Sequence, residues 1–350
     1  MSVSDRSRLS IASLSRAAAL ATALGAAAAA AHGATISRLP AEAGGSAPAD
    51  SVAAADRAVG PMAQAGPVTP AQAAPPAAPP RRAPPAFAAY DAASEPFLSD
   101  PHDLTIGPDG RLYVADKLAG RIAILDPESL ELVGEFGGGA LPGVRDISFT
   151  PDGLAAVAVS GLGQVLVFDL AEDPPRLVRA LPAPGTEGAL VHSNGRIYAS
   201  VGAACAVAAY QGAEVVAVVG VPCGAHDIAE GLDGSLWVPD LRGGRVLRFS
   251  PDLSPLGWVG GPEAGLIGPR YLAVDPAGRL AVADEDGHRI VLIDPSIGPH
   301  GAVVGVLGDG APGVGPGKFD SPEGAASDGA RYWFADSDNN RVVRYAIVVN

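Results

Sequence analysis

Between residue 100 and the C terminus, short apolar runs alternate with clusters of Pro, Asp, Gly and Asn. Pro101-His102-Asp103-Leu104-Thr105-Ile106 passes through Gly107-Pro108-Asp109-Gly110 to Leu112-Tyr113-Val114-Ala115-Asp116. Arg121-Ile122-Ala123-Ile124-Leu125 and a fourth run ending at Phe136 follow. β-branched and aromatic residues fill the runs and turn formers separate them, which is the pattern of strands and not of helices. One such unit predicts a four-stranded antiparallel meander.

The unit returns near Val144, Thr186, Ala225, Pro269 and Pro322. Its first polar position reads His102, Arg145, Glu187, His226, Arg270 and Glu323, at spacings of 43, 42, 39, 44 and 53 residues. A repeat of about forty residues cannot bury its own apolar face and must pack on its neighbours. Six repeats predict an all-β fold: a six-bladed β-propeller of four-stranded antiparallel blades. The long last spacing comes from a Gly/Pro-rich insert, Pro295 to Phe319. The sixth repeat supplies three strands, ending at Val349, so residues 86 to 98, with Phe87, Tyr90 and Phe97, are expected to add its outer strand and close the ring.

Several phrases are specific. Pro101-His102-Asp103, Tyr113-Val114-Ala115-Asp116, Arg121-Ile122 and Gly313-Val314-Gly315-Pro316-Gly317-Lys318-Phe319 followed by Ser321-Pro322-Glu323-Gly324 resemble NHL repeats over residues 100 to 350. Blades two and three depart from the pattern, with Ser160 and Ser200 near the place of its strand-ending Asp. The resemblance implies a six-bladed propeller. It implies little about chemistry, because NHL proteins include RNA binders, sensor ectodomains, protein scaffolds and a few enzymes. Four blades keep an Asp with an Arg five residues on: Asp116 and Arg121, Asp240 and Arg245, Asp284 and Arg289, Asp336 and Arg341. Each pair is expected to bridge a loop by a charge-assisted hydrogen bond.

Upstream of the repeats the composition changes. Arg6, Arg8 and Arg16 precede an Ala-rich run, Ala17 to Ala31, and small residues follow, so residues 1–34 read as a signal peptide. Residues 35–85 are an Ala/Pro-rich stretch without apolar periodicity, expected to be a disordered linker, and residues 86–350 form the propeller. The expected location is exported, periplasmic or secreted, with membrane attachment only if the N-terminal segment is retained. Cys205 and Cys223 are expected to form one disulfide.

The net charge of −14 is unevenly spread: residues 1 to 88 hold seven Arg and four acids, leaving the remainder at −17 with two lysines, Lys117 and Lys318. Such a surface repels phosphate backbones and excludes nucleic acid as a partner.

In a propeller the first strand of each blade lines the central channel. The six polar positions are therefore expected to meet at its mouth, with His102 opposite His226, Arg145 opposite Arg270 and Glu187 opposite Glu323. Together with Tyr271 and Arg242 they are the candidate binding residues for an unidentified protein or a small anionic ligand. His102, His226, Glu187 and Glu323 are also candidate ligands for a divalent metal such as zinc or calcium, with Asp103, Asp146 and Asp227 orienting the imidazoles. Arg145 and Arg270 would then clamp a substrate anion, giving a metal-dependent lyase or hydrolase as the alternative to a binding module. A self-neutralising network of the same residues needs no ligand at all.

Peptidylglycine amidating lyase resembles the chain in its Pro-His-Asp positions, and that resemblance implies three metal-binding histidines on alternate blades. Here the alternate positions beside His102 hold Glu187 and Arg270, so a three-histidine site is not available. His288 lies in the acidic loop Asp284 to His288, read as a solvated turn in preference to a calcium loop. His192 and His300 have no partner visible in the sequence. No Gly-x-Ser-x-Gly, phosphate-cradling loop or Cys–His pair is present.

Overall fold

The structure, a computed structural model, describes residues 88–348. The expected signal peptide at residues 1–34, the expected linker at 35–85, and Phe87 and Val349 lie outside the described residues. β1 (Ala88–Ala93) precedes blade one, which is β2 (Pro101–Ile106), β3 (Leu112–Asp116), β4 (Arg121–Leu125) and β5 (Leu132–Phe136). Blade two is β6 (Val144–Phe149), β7 (Leu154–Val159), β8 (Gln164–Asp169) and β9 (Arg176–Pro182). Blade three is β10 (Ala189–Val191), β11 (Ile197–Val201), β12 (Ala206–Gln211) and β13 (Glu214–Gly220). Blade four is β14 (Ala229–Glu230), β15 (Leu236–Asp240), β16 (Arg245–Phe249) and β17 (Pro255–Gly260). Blade five is β18 (Pro269–Val274), β19 (Leu280–Asp284), β20 (Arg289–Asp294) and β21 (Ala302–Leu307). Blade six is β22 (Pro322–Ser327), β23 (Arg331–Asp336) and β24 (Arg341–Ile347), with β1 as its fourth strand.

These six antiparallel four-stranded sheets make the propeller, as the repeat predicts. Part of the expected insert, Ala302–Leu307, is the outer strand of blade five. Phe319 at its end is fully buried and stacks on Tyr345.

Strand alternation explains how the ring holds together. In β3, Leu112 and Val114 face blade six and pack with Trp333, Ala335 and Val342, while Tyr113 and Ala115 face blade two and pack with Ile147, Ala155 and Val157. A period of two thus feeds two interfaces at once, and six apolar clusters fill the six gaps between blades. Burying this area is worth about 25 cal/mol per Å².

β1 closes the ring by pairing antiparallel with β24, Ala88 opposite Ile347 and Ala93 opposite Val343. Asp91 binds Arg344 at 2.6 Å, and Tyr90 packs edge-on against Tyr345. The four Asp–Arg pairs bridge their loops at 2.7 to 2.9 Å. In three of them the second carboxylate oxygen also accepts a backbone N–H from the incoming segment: Ser99 to Asp116, Ile267 and Gly268 to Asp284, and Asp320 to Asp336. Ser200 does the same in blade three, accepting from Glu187 and Gly188, and Ser160 donates to the carbonyl of Gly143. Cys205 and Cys223 are bonded, tying the loop after β11 to the segment that leads into blade four. Among the described residues no helix is long and apolar enough to cross a membrane.

Candidate functional site

The six polar positions converge on the channel mouth. In blades one, two, five and six they sit second in the first strand, where the pairing with the next strand is irregular: between Pro101 and Leu104, Val144 and Asp146, Pro269 and Tyr271, and Pro322 and Ala325. Such an irregularity re-aims a side chain. In blades three and four Glu187 and His226 lie just before strands shortened to three and two residues. There the backbone spends its N–H groups on side chains: Glu187 and Gly188 donate to Ser200, Ala189 to Asp146 and Ile228 to Asp227.

The network has a pseudo-twofold plan. Gly324 of blade six lies against His102 and Asp103 of blade one so closely that a Cβ would stand 2.4 Å from the His102 carbonyl oxygen. Gly188 of blade three meets His226 and Asp227 of blade four in the same way, at 2.5 Å. Each approach puts the preceding glutamate beside the histidine. Glu323 is in direct contact with Nδ1 of His102, and Glu187 lies 3.6 Å from Nδ1 of His226. That second distance is beyond hydrogen-bond reach, and His226 Nδ1 is buried without a hydrogen bond.

The arginines differ. Arg145 bridges the two halves, 2.9 Å from Glu187 and 3.4 Å from both ring nitrogens of His102, with its Nε 3.4 Å from Ser160. Arg270 is held through Nε by Glu285, which follows the second strand of blade five as Ser160 follows that of blade two. Asp100 joins the His102 side at 3.6 Å and is itself paired with Lys117. Tyr271 is fully buried and forms the floor of the mouth. Its hydroxyl reaches 3.4 Å from His102 and 3.5 Å from the Glu187 carbonyl oxygen, and its ring meets both imidazoles edge-on.

Burial dominates the protonation states. It pushes His226 down to about 3, with Arg270 and Arg145 adding to the effect. His102 is lowered by burial and then by Arg145. Burial and Asp100 raise Glu323 to about 8, and burial also raises Glu187. Burial thus favours neutral imidazoles and a protonated Glu323 beside His102.

The expected four-residue metal set is divided: Asp100, His102 and Glu323 bring ligand atoms within 4.8 Å of one another, while Glu187 and His226 stand with Arg145. The fit to a divalent ion is poor, because Arg145 lies against both ring nitrogens of His102 and Lys117 already takes Asp100. Asp103, Asp146 and Asp227 do not orient the imidazoles. They turn into the tunnel behind Tyr271, where each accepts a backbone N–H of another blade: Ala325 to Asp103, Ala189 to Asp146 and Leu272 to Asp227. The tunnel is a cavity of about 270 Å³, lined also by Thr105, Ser148, Glu230 and Ser327.

Arg242 is exposed in a separate cleft of about 230 Å³ with Pro262, Leu266 and Ile267. His192 and His300 have structural partners: His192 bonds the Gly234 carbonyl oxygen at 2.9 Å, and His300 stacks on Trp258. His288 accepts the Ser321 N–H. Sequence reasoning missed Asp100, Lys117 and Glu285. Aligning the loops after each second strand would have shown Glu285 at the place of Ser160.

The fold is that of a six-bladed β-propeller. No protein family matches the chain by sequence, and no curated protein does. Solved structures match it in fold. Virginiamycin B lyase from Staphylococcus aureus is 14% identical with a TM-score of 0.53, over 73% of this chain and 99% of that one. An auxiliary nutrient binding protein from Bacteroides thetaiotaomicron is 17% identical with a TM-score of 0.57, over 71% of this chain and 69% of that one. A protein of unknown function from the same organism is 13% identical with a TM-score of 0.59, over 74% and 72%. At these identities the likeness is one of fold.

Proposed function

We propose that the chain is an exported NHL-type propeller that works as a binding module through the face carrying the mouth. The carrying observation is the rim of that face. Leu118, Leu162, Ile267 and Val314 stand 71, 46, 60 and 67% exposed on the loops around the mouth. Large apolar side chains exposed beside fixed charges favour a docking surface, and loops on a rigid scaffold are where propellers present one. The disulfide supports export, since such bonds persist in oxidising compartments. A metal-dependent lyase or hydrolase is the weaker reading, because an ion at His102 would have to displace Arg145 and Lys117.

Replacing Leu118 and Ile267 together by Glu tests the reading. Cross-linking of the full chain in its own extracytoplasmic fraction should give a specific partner whose recovery falls about tenfold in the double variant, a loss of ~1.4 kcal/mol, with the melting temperature unchanged. Equal recovery from wild type and variant would remove this face from recognition.

A further inference from the structure

We propose that the mouth is a site for a small organic dicarboxylate, one carboxylate held by Arg145 and the other by Arg270. The proposal rests on the binding reading above and names the ligand of its central part.

Four observations carry it. The first is symmetry: Glu187–Gly188 against His226–Asp227 repeats Glu323–Gly324 against His102–Asp103, so the mouth offers two similar halves to one ligand. The second is the setting of the arginines, which come from opposite blades. Each turns Nε towards the residue after its blade's second strand, Ser160 or Glu285, and Arg145 is held as well through Nη1 by Glu187 and His102. Arg270 has Glu285 as its one ion-pair partner among the described residues, which leaves its outer edge for a ligand. The side chains of Arg145 and Arg270 are 20 and 25% exposed, accessible from the mouth without being mobile surface groups. A guanidinium held in this way presents a planar fork that matches a carboxylate.

The third observation is His226 Nδ1, buried and lacking a hydrogen bond although Glu187 is nearby. A polar atom left in this state is completed by a ligand group more cheaply than it is left empty. The fourth is the floor. Tyr271, fully buried, reaches across the channel from blade five, its hydroxyl 3.4 Å from His102 and 3.5 Å from the Glu187 carbonyl oxygen, so a ligand between the arginines would lie against it. Lys117 is paired with Asp100, and Arg145 and Arg270 each already have one carboxylate beside them, Glu187 and Glu285. Because the two guanidiniums stand on opposite blades, two separated anionic ends suit them better than one.

Calorimetric titration of the full chain with succinate, glutarate and adipate, against acetate and butyrate at equal ionic strength, tests the proposal. At least one dicarboxylate should bind about tenfold or more tightly than butyrate. Arg145→Gln and Arg270→Gln should each weaken it by about tenfold or more, the range of a charged hydrogen bond. Arg145→Lys and Arg270→Lys keep the charge but lose the fork, and should recover part of the loss. Absence of dicarboxylate binding at millimolar concentration to folded protein, or equal binding of mono- and dicarboxylates, would overturn the proposal, as would indifference to both Gln variants. If partner recovery ignores the rim substitutions while dicarboxylate binding stands, the recognition face is lost and this site is kept; the reverse result discards this site alone.

Discussion

Asp103, Asp146 and Asp227 bring carboxylate oxygens within 4.8 Å of one another in a buried tunnel, and they cannot all carry charge there. Burial, reinforced by Asp146, raises Asp227 to about 8; burial raises Asp146 to about 6; Asp103 is raised well above its ordinary range by burial and by the other two. Groups raised on folding bind protons that the unfolded chain has released. Their contribution is full below the unfolded carboxylate range and is lost as pH climbs through 6 to 8. Glu323 acts in the same direction, through about 8. His226 acts in the opposite direction: its folded value of about 3 lies below its unfolded one, so its contribution is present above about 6.5 and lost on acidification. Between pH 6.5 and 8.5 the carboxyl groups decide. The melting temperature should fall across that interval by about 3 °C or more, and Asp227→Asn, which cannot ionise, should flatten the fall. A flat wild-type profile in calorimetry would show that the tunnel carboxyls are not protonated.

How much of this site was legible follows from what repeats. His102, Arg145, Glu187, His226, Arg270 and Glu323 announce themselves by recurring at one place in the unit. Asp100, Lys117 and Glu285 lie in loops whose contacts depend on how the blades close, and no spacing reveals those. The aspartates following the slots were visible, but which way they turn was not, because that depends on backbone N–H groups donated by another blade.

The first strands show why glycine follows glutamate in blades three and six. At Gly324 the neighbour is the carbonyl oxygen of His102, 2.4 Å from a hypothetical Cβ, and at Gly188 it is the carbonyl oxygen of His226. Neither obstacle is the free end of a side chain, so the strands themselves must move apart. Gly324→Ala should cost about 1 to 3 kcal/mol, the range for overpacking, and should separate Glu323 from His102. Urea denaturation checks the first effect, and the titration of His102 by NMR the second. The Glu-Gly pair is plain in the sequence, yet its reason is not, since the obstacle belongs to another blade, for Gly324 one more than two hundred residues away in the chain. The Asp–Arg bridges were more legible because both partners lie within one hairpin.

Six repeats of one phrase dictated the propeller, and the missing fourth strand of the last repeat pointed to β1. What the sequence left open was how firmly β1 is held. Asp91 on Arg344 and Tyr90 on Tyr345 secure it, and Arg344 also reaches the carbonyl oxygens of Pro127 and Glu128 in blade one. Removing residues 1–93 should expose β24 as an unpaired edge. The truncated protein is expected to elute as oligomers in size-exclusion chromatography, where a chain beginning at residue 86 elutes as a folded species.

The pairing of Ala88 with Ile347 also sets a direction. Arg341 opens β24 on the face of the mouth and Ile347 ends it on the opposite face, so Ala88 begins β1 on that opposite face. The strand that closes the ring thus starts on the face away from Arg145, Arg270 and the apolar side chains of the mouth loops, and its first residues take no part in that face.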